Sequence, residues 1–260
     1  ATVRRFLDVC REEDVEDIVI TGTSVLRDAS NGSDFIDAVA RELDHDVEVI
    51  PGEEEARLSY LAVRRDTTLP ASLLASDGAS CVVTDIGGGS TELIIGDERI
   101  RQMASLDLGS VRLTETFLSD APARPAKIDE LRDHLRKTFA AAPPANANGV
   151  LVGVGGTITT LANIAAHQTH PTPPVHGYKL TRGKLRDETE RLALLTRAEL
   201  EATPGLEKKR AGVIVAGAVL TEHVMDHFER EEMWVSVRGL RHGVLLDRFL
   251  EGDDWRPVPR

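Results

Sequence analysis

Cysteine and aromatic residues are scarce in this chain, and its apolar runs are short. The only cysteines among the 260 residues are Cys10 and Cys81, which favours reduced core thiols over a disulfide framework or a zinc site. No apolar stretch approaches the roughly 20 residues of a membrane span. The N-terminus also lacks the apolar region of a signal peptide. We therefore expect a cytoplasmic protein with no membrane partner.

Positive charge is also in short supply. The sequence holds 31 Lys and Arg against 43 Asp and Glu, a formal net charge of −12. Because nonspecific nucleic-acid binding needs a broad basic face, we expect no nucleic-acid partner. A phosphate-rich ligand must then be held by a local group of arginines, lysines, backbone N–H groups and metal. The 41% of hydrophobic residues suffice for the core of one large or two modest domains.

One glycine-rich segment, Asp-Ile-Gly-Gly-Gly-Ser-Thr-Glu, runs from Asp85 to Glu92 between two short apolar runs. It predicts a β-hairpin around a glycine turn whose N–H groups face one anion, with phosphate as the expected anion. The two bracketing carboxylates are the hard oxygen ligands that Mg²⁺ accepts. A tight hairpin with a glycine bulge is the purely structural alternative. The candidate phosphate-binding residues of this turn are Gly87, Gly88, Gly89, Ser90 and Thr91.

A second glycine turn follows the apolar run at residues 149–154 and leads into a helix-like segment. Its candidate phosphate-binding residues are Gly155, Gly156 and Thr157, because a helix N-terminus presents unpaired N–H groups and a positive dipole end. No Gly-Lys-Ser/Thr follows, so this is not a Walker loop, and no dinucleotide fingerprint is evident. Two different phosphate turns, one between strands and one before a helix, are typical of the actin and sugar-kinase superfamily.

Helices and strands alternate in the first part of the chain. The patterns predict helices over residues 3–13 and 34–43, with Ser33 as the N-cap of the second, strands over 15–21 and 47–50, and a helix beginning at Glu53. Beyond the first glycine turn we expect a third strand near residues 102–106, and mainly helix after the second turn, with a last strand over residues 233–237. This order predicts an α/β fold.

Six segments resemble the exopolyphosphatase and guanosine-pentaphosphate phosphohydrolase (Ppx/GppA) family and occur in that family's order. They cover residues 21–29, 48–58, 85–92, 153–157, 210–217 and 237–243. The resemblance implies an α/β fold of the actin-like type with two domains, which we place at residues 1–58 and 59–260, and a substrate cleft between them. It also implies inorganic polyphosphate as the substrate, guanosine pentaphosphate as a second possible substrate, and a homodimer.

The resemblance also assigns roles to residues. Glu55 matches the family's catalytic base, Asp85 and Glu92 would hold Mg²⁺ or Mn²⁺, and Arg27 resembles a phosphate clamp whose planar fork suits bidentate contact. Arg210 is a weaker candidate. From the residues alone, the favoured interpretation of Glu55 is an acidic first turn that serves the helix dipole; the resemblance favours the base.

Three function classes remain open at this point. The leading one is hydrolysis of polyphosphate from its end; the others are a phosphate-binding regulator without turnover, and a sugar or acetate kinase. Family members open with a strand carrying a first phosphate loop and two further strands, whereas this sequence opens on the helix that follows them. We therefore expect a truncated first domain, and low activity of residues 1–260 alone.

Overall fold

The computed structural model describes residues 2–69, 80–145, 149–166 and 175–250. The chain divides into two compact units, Ala1–Glu55 and Ala56–Arg260. Helix α4 begins in the first unit and continues into the second.

The first unit alternates helices with short strands. Its elements are α1 (Thr2–Glu12), β1 (Ile20–Gly22), α2 (Ser24–Asp28), α3 (Gly32–Leu43), β2 (Val47–Val49) and the start of α4 (Gly52–Arg64). Strands β1 and β2 pair in parallel, with Ile20 opposite Val47. The predicted N-cap is wrong, because α3 begins at Gly32, whose N–H donates to the carbonyl of Ala29 at 2.9 Å. Ser33 therefore lies inside the first turn of α3.

The second unit contains one mixed sheet with helices on both faces. Its elements after α4 are β3 (Cys81–Ile86), β4 (Thr91–Gly96), β5 (Ile100–Leu106), α5 (Ser110–Phe117), α6 (Pro125–Thr138), a 3₁₀ turn (Phe139–Ala141), β6 (Val150–Val154), α7 (Gly156–Ala165), β7 (Lys179–Thr181), α8 (Arg182–Ala193), α9 (Arg197–Glu201), a 3₁₀ turn (Lys208–Arg210), α10 (Ile214–His227), β8 (Glu232–Val235) and α11 (Leu240–Phe249).

Among the described residues the sheet order is β5-β4-β3-β6-β8-β7. Strands β3, β4 and β5 form an antiparallel meander, β6 and β8 run parallel to β3, and β7 runs antiparallel to β8. The predicted hairpin and its third strand are confirmed. Strand β7 was not predicted, because its three residues are too few to show an alternating pattern.

The two faces of the sheet bury different cores. Val82 of β3 points into the larger core, which is shared with α5, α7 and α10, whereas its neighbour Val83 points towards α4. This alternation follows from the two-residue period of a strand. Because β3 and β6 are covered on both faces, their sequences read as continuous apolar runs.

Helices α4 and α11 lie in close contact. A Cβ added to Gly243 of α11 would come within 2.0 Å of the carbonyl oxygen of Leu58, so only glycine allows this approach. The guanidinium of Arg57 also pairs with Asp247 at 2.8 Å. Among the described residues, no helix is both long and apolar enough to cross a membrane.

Candidate functional site

Three parallel strands of the second unit end at one edge of the sheet. Asp85 lies near the carboxyl end of β3, Gly155 follows β6, and Gly239 lies in the segment after β8. In α/β sheets, ligands bind outside the carboxyl ends of the strands. This edge is therefore the candidate site of the second unit, and we call it the carboxyl edge.

Asp85 lies at the centre of the carboxyl edge. Its Oδ2 atom accepts a hydrogen bond from the Ser59 hydroxyl at 2.6 Å. A Cβ added to Gly155 would lie 2.6 Å from Oδ1, and one added to Gly239 would lie 3.7 Å from Oδ2. Two glycine backbones therefore approach the carboxylate closely. Burial raises the pKa of Asp85 above its ordinary value, and the Ser59 hydrogen bond opposes that rise.

Glu92 of β4 lies directly opposite Asp85 in the hairpin register, so both carboxylates occupy the same face of the sheet. Glu92 is almost fully buried, and its Oε1 atom accepts a hydrogen bond from the Ser105 hydroxyl at 2.9 Å. Side chains in such directly opposite pairs have Cβ atoms about 5 Å apart. The structure thus brings the two predicted metal ligands together.

The donor set suits a hard, well-hydrated cation. Mg²⁺ is commonly held by one or two carboxylates while it keeps waters and substrate phosphate oxygens as further ligands. Within the described residues, no group of three or more His, Cys, Asp or Glu side chains is placed to hold a metal ion. Asp85 and Glu92 therefore fit Mg²⁺ or Mn²⁺ as a two-carboxylate site that water and phosphate would complete.

The N-terminus of α5 holds the first glycine turn in place through hydrogen bonds. Three N–H groups in the first turn of α5 donate to the carbonyls of Gly87 and Gly88 at 2.9–3.1 Å. The Nε atom of Arg112 donates to the Gly89 carbonyl at 3.0 Å. A Cβ at Gly109 would come within 2.2 Å of the Gly88 carbonyl oxygen. Because these carbonyls have donors inside the protein, the path of the turn is set without a ligand.

One N–H group that was predicted to bind phosphate in this turn, and the hydroxyl of Thr91, are already engaged. The Gly87 N–H donates to the carbonyl of Ser90 at 3.0 Å and closes the hairpin. The Thr91 hydroxyl is buried and donates to the carbonyl of Leu108 at 2.6 Å. The role of the Gly87 N–H is therefore corrected from phosphate donor to hairpin bond. The N–H groups of Gly88, Gly89, Ser90 and Thr91 remain the candidates of this turn.

The second glycine turn lies beneath an arginine. Gly155 has a φ of +93°, which few other residues adopt, and Gly156 begins α7. A Cβ added to Gly156 would lie 2.0 Å from Nη2 of Arg210, so the guanidinium rests on the start of α7. The Arg210 Nε is buried and has no hydrogen-bond partner among the described residues. Thr157 instead turns its methyl group towards Gly217 of α10.

In the first unit, the two predicted site residues contact each other. Arg27, carried by α2, donates from Nη1 to Oε1 of Glu55 in α4 and, at 2.5 Å, to the carbonyl of Ile50. The side chains of Arg27 and Glu55 are 26% and 9% exposed. Sequence reasoning assigned them separate roles as phosphate clamp and base. The structure shows an ion pair that orients the glutamate.

Sequence reasoning missed two contributors to the carboxyl edge and the anchoring contact of a third. Ser59 lies four residues after Glu55 in α4, a spacing that places both on one helix face and could have drawn attention to it. Gly239 lies inside a segment used for the family resemblance but received no role. Arg238 is one of the arginines from which a local phosphate-binding group was expected, but its contact with the buried Asp66 was not predicted, because that contact depends on the tertiary fold.

Known proteins resemble the chain over almost its full length. The model of the Ppx/GppA phosphatase family matches residues 1–251. Exopolyphosphatase 1 of Mycobacterium tuberculosis is 31% identical over 257 residues, which cover 96% of this chain and 72% of that protein.

Solved structures also resemble the chain over most of its length. The crystal structure of the Aquifex aeolicus member of the Ppx/GppA family is 33% identical, with 96% of this chain and 79% of that chain covered and a TM-score of 0.78. An exopolyphosphatase from Cytophaga hutchinsonii is 28% identical, with 94% and 78% covered and a TM-score of 0.81. The predicted α/β fold is confirmed, and it is shared with solved structures of this family. The chain belongs to the Ppx/GppA phosphatase family.

Proposed function

We propose that this protein hydrolyses the terminal phosphoanhydride bond of inorganic polyphosphate and releases orthophosphate. The observation that carries the proposal is the approach of the second glycine turn to Asp85, with the Arg210 guanidinium resting on the same turn. The names of the relatives support polyphosphate as the substrate.

In the proposed reaction, water attacks the terminal phosphorus, and the bond from this phosphorus to the bridging oxygen breaks. Glu55 takes a proton from the attacking water, and the shortened chain leaves with its electron pair on the bridging oxygen. The ion pair with Arg27 holds the Glu55 carboxylate in one orientation. A well-placed base of this kind contributes about 10²–10⁴-fold to the rate.

The carboxyl edge supplies charge neutralisation. Asp85 and Glu92 would hold Mg²⁺ or Mn²⁺, which supplies Lewis-acid stabilisation of the phosphate oxygens when bound. The N–H groups of the two glycine turns and the Arg210 guanidinium would bind oxygens of the terminal phosphate. Positioning and electrostatic stabilisation provide most of the catalysis in phosphoryl transfer.

Phosphate release tests this function. Long-chain polyphosphate and ATP are compared at equal terminal-phosphate concentration with Mg²⁺, and we expect faster release from polyphosphate. The Glu55→Gln variant should lose about 10²–10⁴-fold in turnover and still bind polyphosphate. Glu54→Gln, one residue away in the same acidic turn, is the matched control and should retain activity. ATP turnover that equals or exceeds polyphosphate turnover contradicts the proposal.

Hydrolysis of guanosine pentaphosphate and formation of a homodimer are two further proposals. Guanosine pentaphosphate is proposed as a second substrate on the resemblance alone, and release of phosphate from it is measured in the same assay. The homodimer is checked by light scattering of the purified chain.

A further inference from the structure

A buried aspartate anchors an arginine next to the carboxyl edge. Asp66 follows α4, and its side chain has no exposed surface. The backbone N–H and hydroxyl of Thr68 donate to Oδ1 of Asp66 at 2.9 and 2.6 Å. Nε2 of His176 lies 3.3 Å from Oδ2, and Nη1 of Arg238 lies 3.4 Å from Oδ1. Three separate loops therefore meet at one buried negative charge.

His176 fixes the segment that carries Arg238. Its Nδ1 accepts a hydrogen bond from the N–H of Val237 at 3.3 Å, so the neutral ring carries its proton on Nε2. That nitrogen faces the Asp66 carboxylate and lies 2.9 Å from the Thr68 hydroxyl. The Ser236 hydroxyl closes the segment by accepting from the Arg238 N–H at 3.0 Å. The backbone at Arg238 is thus held from two sides.

The guanidinium of Arg238 keeps donors for an outside ligand. Its side chain is 36% exposed, and among the described residues Asp66 is its one ion-pair partner. A guanidinium has five N–H donors in a rigid fork, and a single nitrogen at 3.4 Å uses little of that capacity. Asp66 in turn accepts hydrogen bonds from Thr68, so its hydrogen bonding does not depend on Arg238. An arginine that is held in place and still has N–H donors for a ligand is suited to binding an anion.

Arg238 also lies in the right place along the edge. Its neighbour Gly239 approaches the Asp85 carboxylate, since an added Cβ would lie 3.7 Å from Oδ2 and 3.6 Å from Val154. The chain that leaves β8 therefore crosses the end of β6 on its way to Asp85. Neighbouring strands lie about 4.8 Å apart, so β8 ends about 10 Å from β3. A linear phosphate chain that starts at Asp85 and runs along the edge meets this segment.

A second observation points to a ligand here. His242, in the first turn of α11, has a buried Nδ1 without a hydrogen-bond partner among the described residues. Buried polar atoms in folded proteins are normally satisfied by protein or water. The segment after β8 therefore presents a fixed cation and an unsatisfied polar atom within five residues, in a chain whose net charge is −12.

We propose that Arg238 forms a second phosphate subsite, which binds an internal phosphate of a linear polyphosphate whose terminal phosphate lies at Asp85. The inference rests on the proposed function. It adds to the hydrolysis of the terminal bond a contact with a phosphate further along the same polyphosphate chain. The subsite recognises phosphate oxygens, which both linear polyphosphate and guanosine pentaphosphate carry, and the assignment is to polyphosphate.

The test separates binding from turnover. Binding of long-chain polyphosphate is measured by calorimetry in the Glu55→Gln background, with and without Arg238→Gln. Because hydrogen bonds to charged groups contribute about 1.5–3 kcal/mol, we expect affinity to fall about tenfold or more. In the background with Glu55 intact, KM for polyphosphate should rise by the same factor while kcat is little changed. Arg241→Gln, an exposed arginine three residues further along, removes the same charge and should have little effect.

A shorter phosphate ligand and a conservative variant of Arg238 provide two further tests of the subsite. The loss in Arg238→Gln should be absent with pyrophosphate, which has no internal phosphate. Arg238→Lys keeps the charge beside Asp66 but lacks the planar fork. Its affinity for polyphosphate should therefore lie between that of the protein with Arg238 and that of Arg238→Gln. Thermal unfolding of each variant verifies that the fold is kept.

Four outcomes overturn the subsite. They are an equal loss in Arg238→Gln and Arg241→Gln, no loss in Arg238→Gln, the same loss with pyrophosphate, and a loss confined to guanosine pentaphosphate. Failure of the proposed function has a different signature, namely no phosphate release from polyphosphate by the chain with Glu55 intact. If that occurs while binding still depends on Arg238, the subsite stands without the reaction.

Discussion

Ser59 donates its hydroxyl hydrogen to Asp85 across 2.6 Å and thereby joins α4 to the carboxyl end of β3. Ser59 has no exposed surface, so water cannot replace the bond. The same helix carries Glu55 one turn earlier. A single hydroxyl therefore holds the carboxylate that lies between both glycine turns.

Replacing Ser59 by Ala should weaken activity without removing a charged group. The Ser59 hydrogen bond lowers the pKa of Asp85 against the effect of burial. Its loss raises that pKa further and moves the acidic limb of the kcat/KM profile to higher pH. Because hydrogen bonds to charged groups contribute about 1.5–3 kcal/mol, kcat/KM at neutral pH should fall about tenfold. Ser119→Ala, at an exposed position, is the control, and an unshifted acidic limb would contradict the role of Ser59.

Asp85→Asn should abolish phosphate release and at the same time stabilise the fold at neutral pH. Burial raises the folded-state pKa of Asp85, so the ionised form costs stability once the pH exceeds the ordinary aspartate value near 4. The amide lacks that charge. We therefore expect a higher Tm at pH 7, by about 2–4 °C per kcal/mol, and no difference below about pH 4.

The measurement is thermal unfolding of both proteins from pH 4 to 8. Asp187→Asn, at an exposed site on α8, is the matched control and should leave the Tm unchanged at every pH. A Tm that falls at pH 7 in Asp85→Asn would show that the ionised carboxylate stabilises the fold, contrary to the expectation that it destabilises it.

The sequence located the elements of the carboxyl edge but not the contacts within it. The hairpin from β3 to β4 could be predicted because glycine turns and alternating apolar residues are local signals. The register then followed, and it places Asp85 opposite Glu92. Strand β7 carried no such signal in three residues.

In each unit, the contacts that hold the candidate residues join positions far apart in the chain. Arg27 and Glu55 are 28 positions apart, and Ser59 and Asp85 are 26 apart. Composition and periodicity contain no information on such pairs, which form only once helices and sheet have packed. For the same reason, the local pattern favoured Ser33 as a cap, although the turn before Gly32 starts α3 earlier.

Gly156→Ala tests the contact between the second glycine turn and Arg210. The added methyl carbon would lie 2.0 Å from the guanidinium, and the flexible arginine can move away. The fold should survive, while the displaced guanidinium no longer reaches the phosphate. We expect KM for polyphosphate to rise about tenfold, as it should in Arg210→Gln, and the double variant should lose no more than either single one. Gly183→Ala, where nothing lies within 4 Å of the added atom, is the control, and additive losses would separate the two residues.

His223 predicts how the second unit responds to acid. The ring lies against Phe139 with centroids 4.5 Å apart, and burial lowers its pKa from 6.5 to about 4. Because the folded protein holds this histidine neutral, the stability it contributes is complete above pH 6.5 and is lost as the pH falls through the folded pKa. The His223→Phe variant keeps an aromatic ring at the Phe139 contact but cannot be protonated. Its free energy of unfolding should therefore fall less between pH 6.5 and 4 in urea titrations than that of the unaltered chain. His134→Gln, at an exposed position on α6, is the control and should follow the unaltered chain; an identical acid response in all three proteins would show that His223 is not the group that titrates.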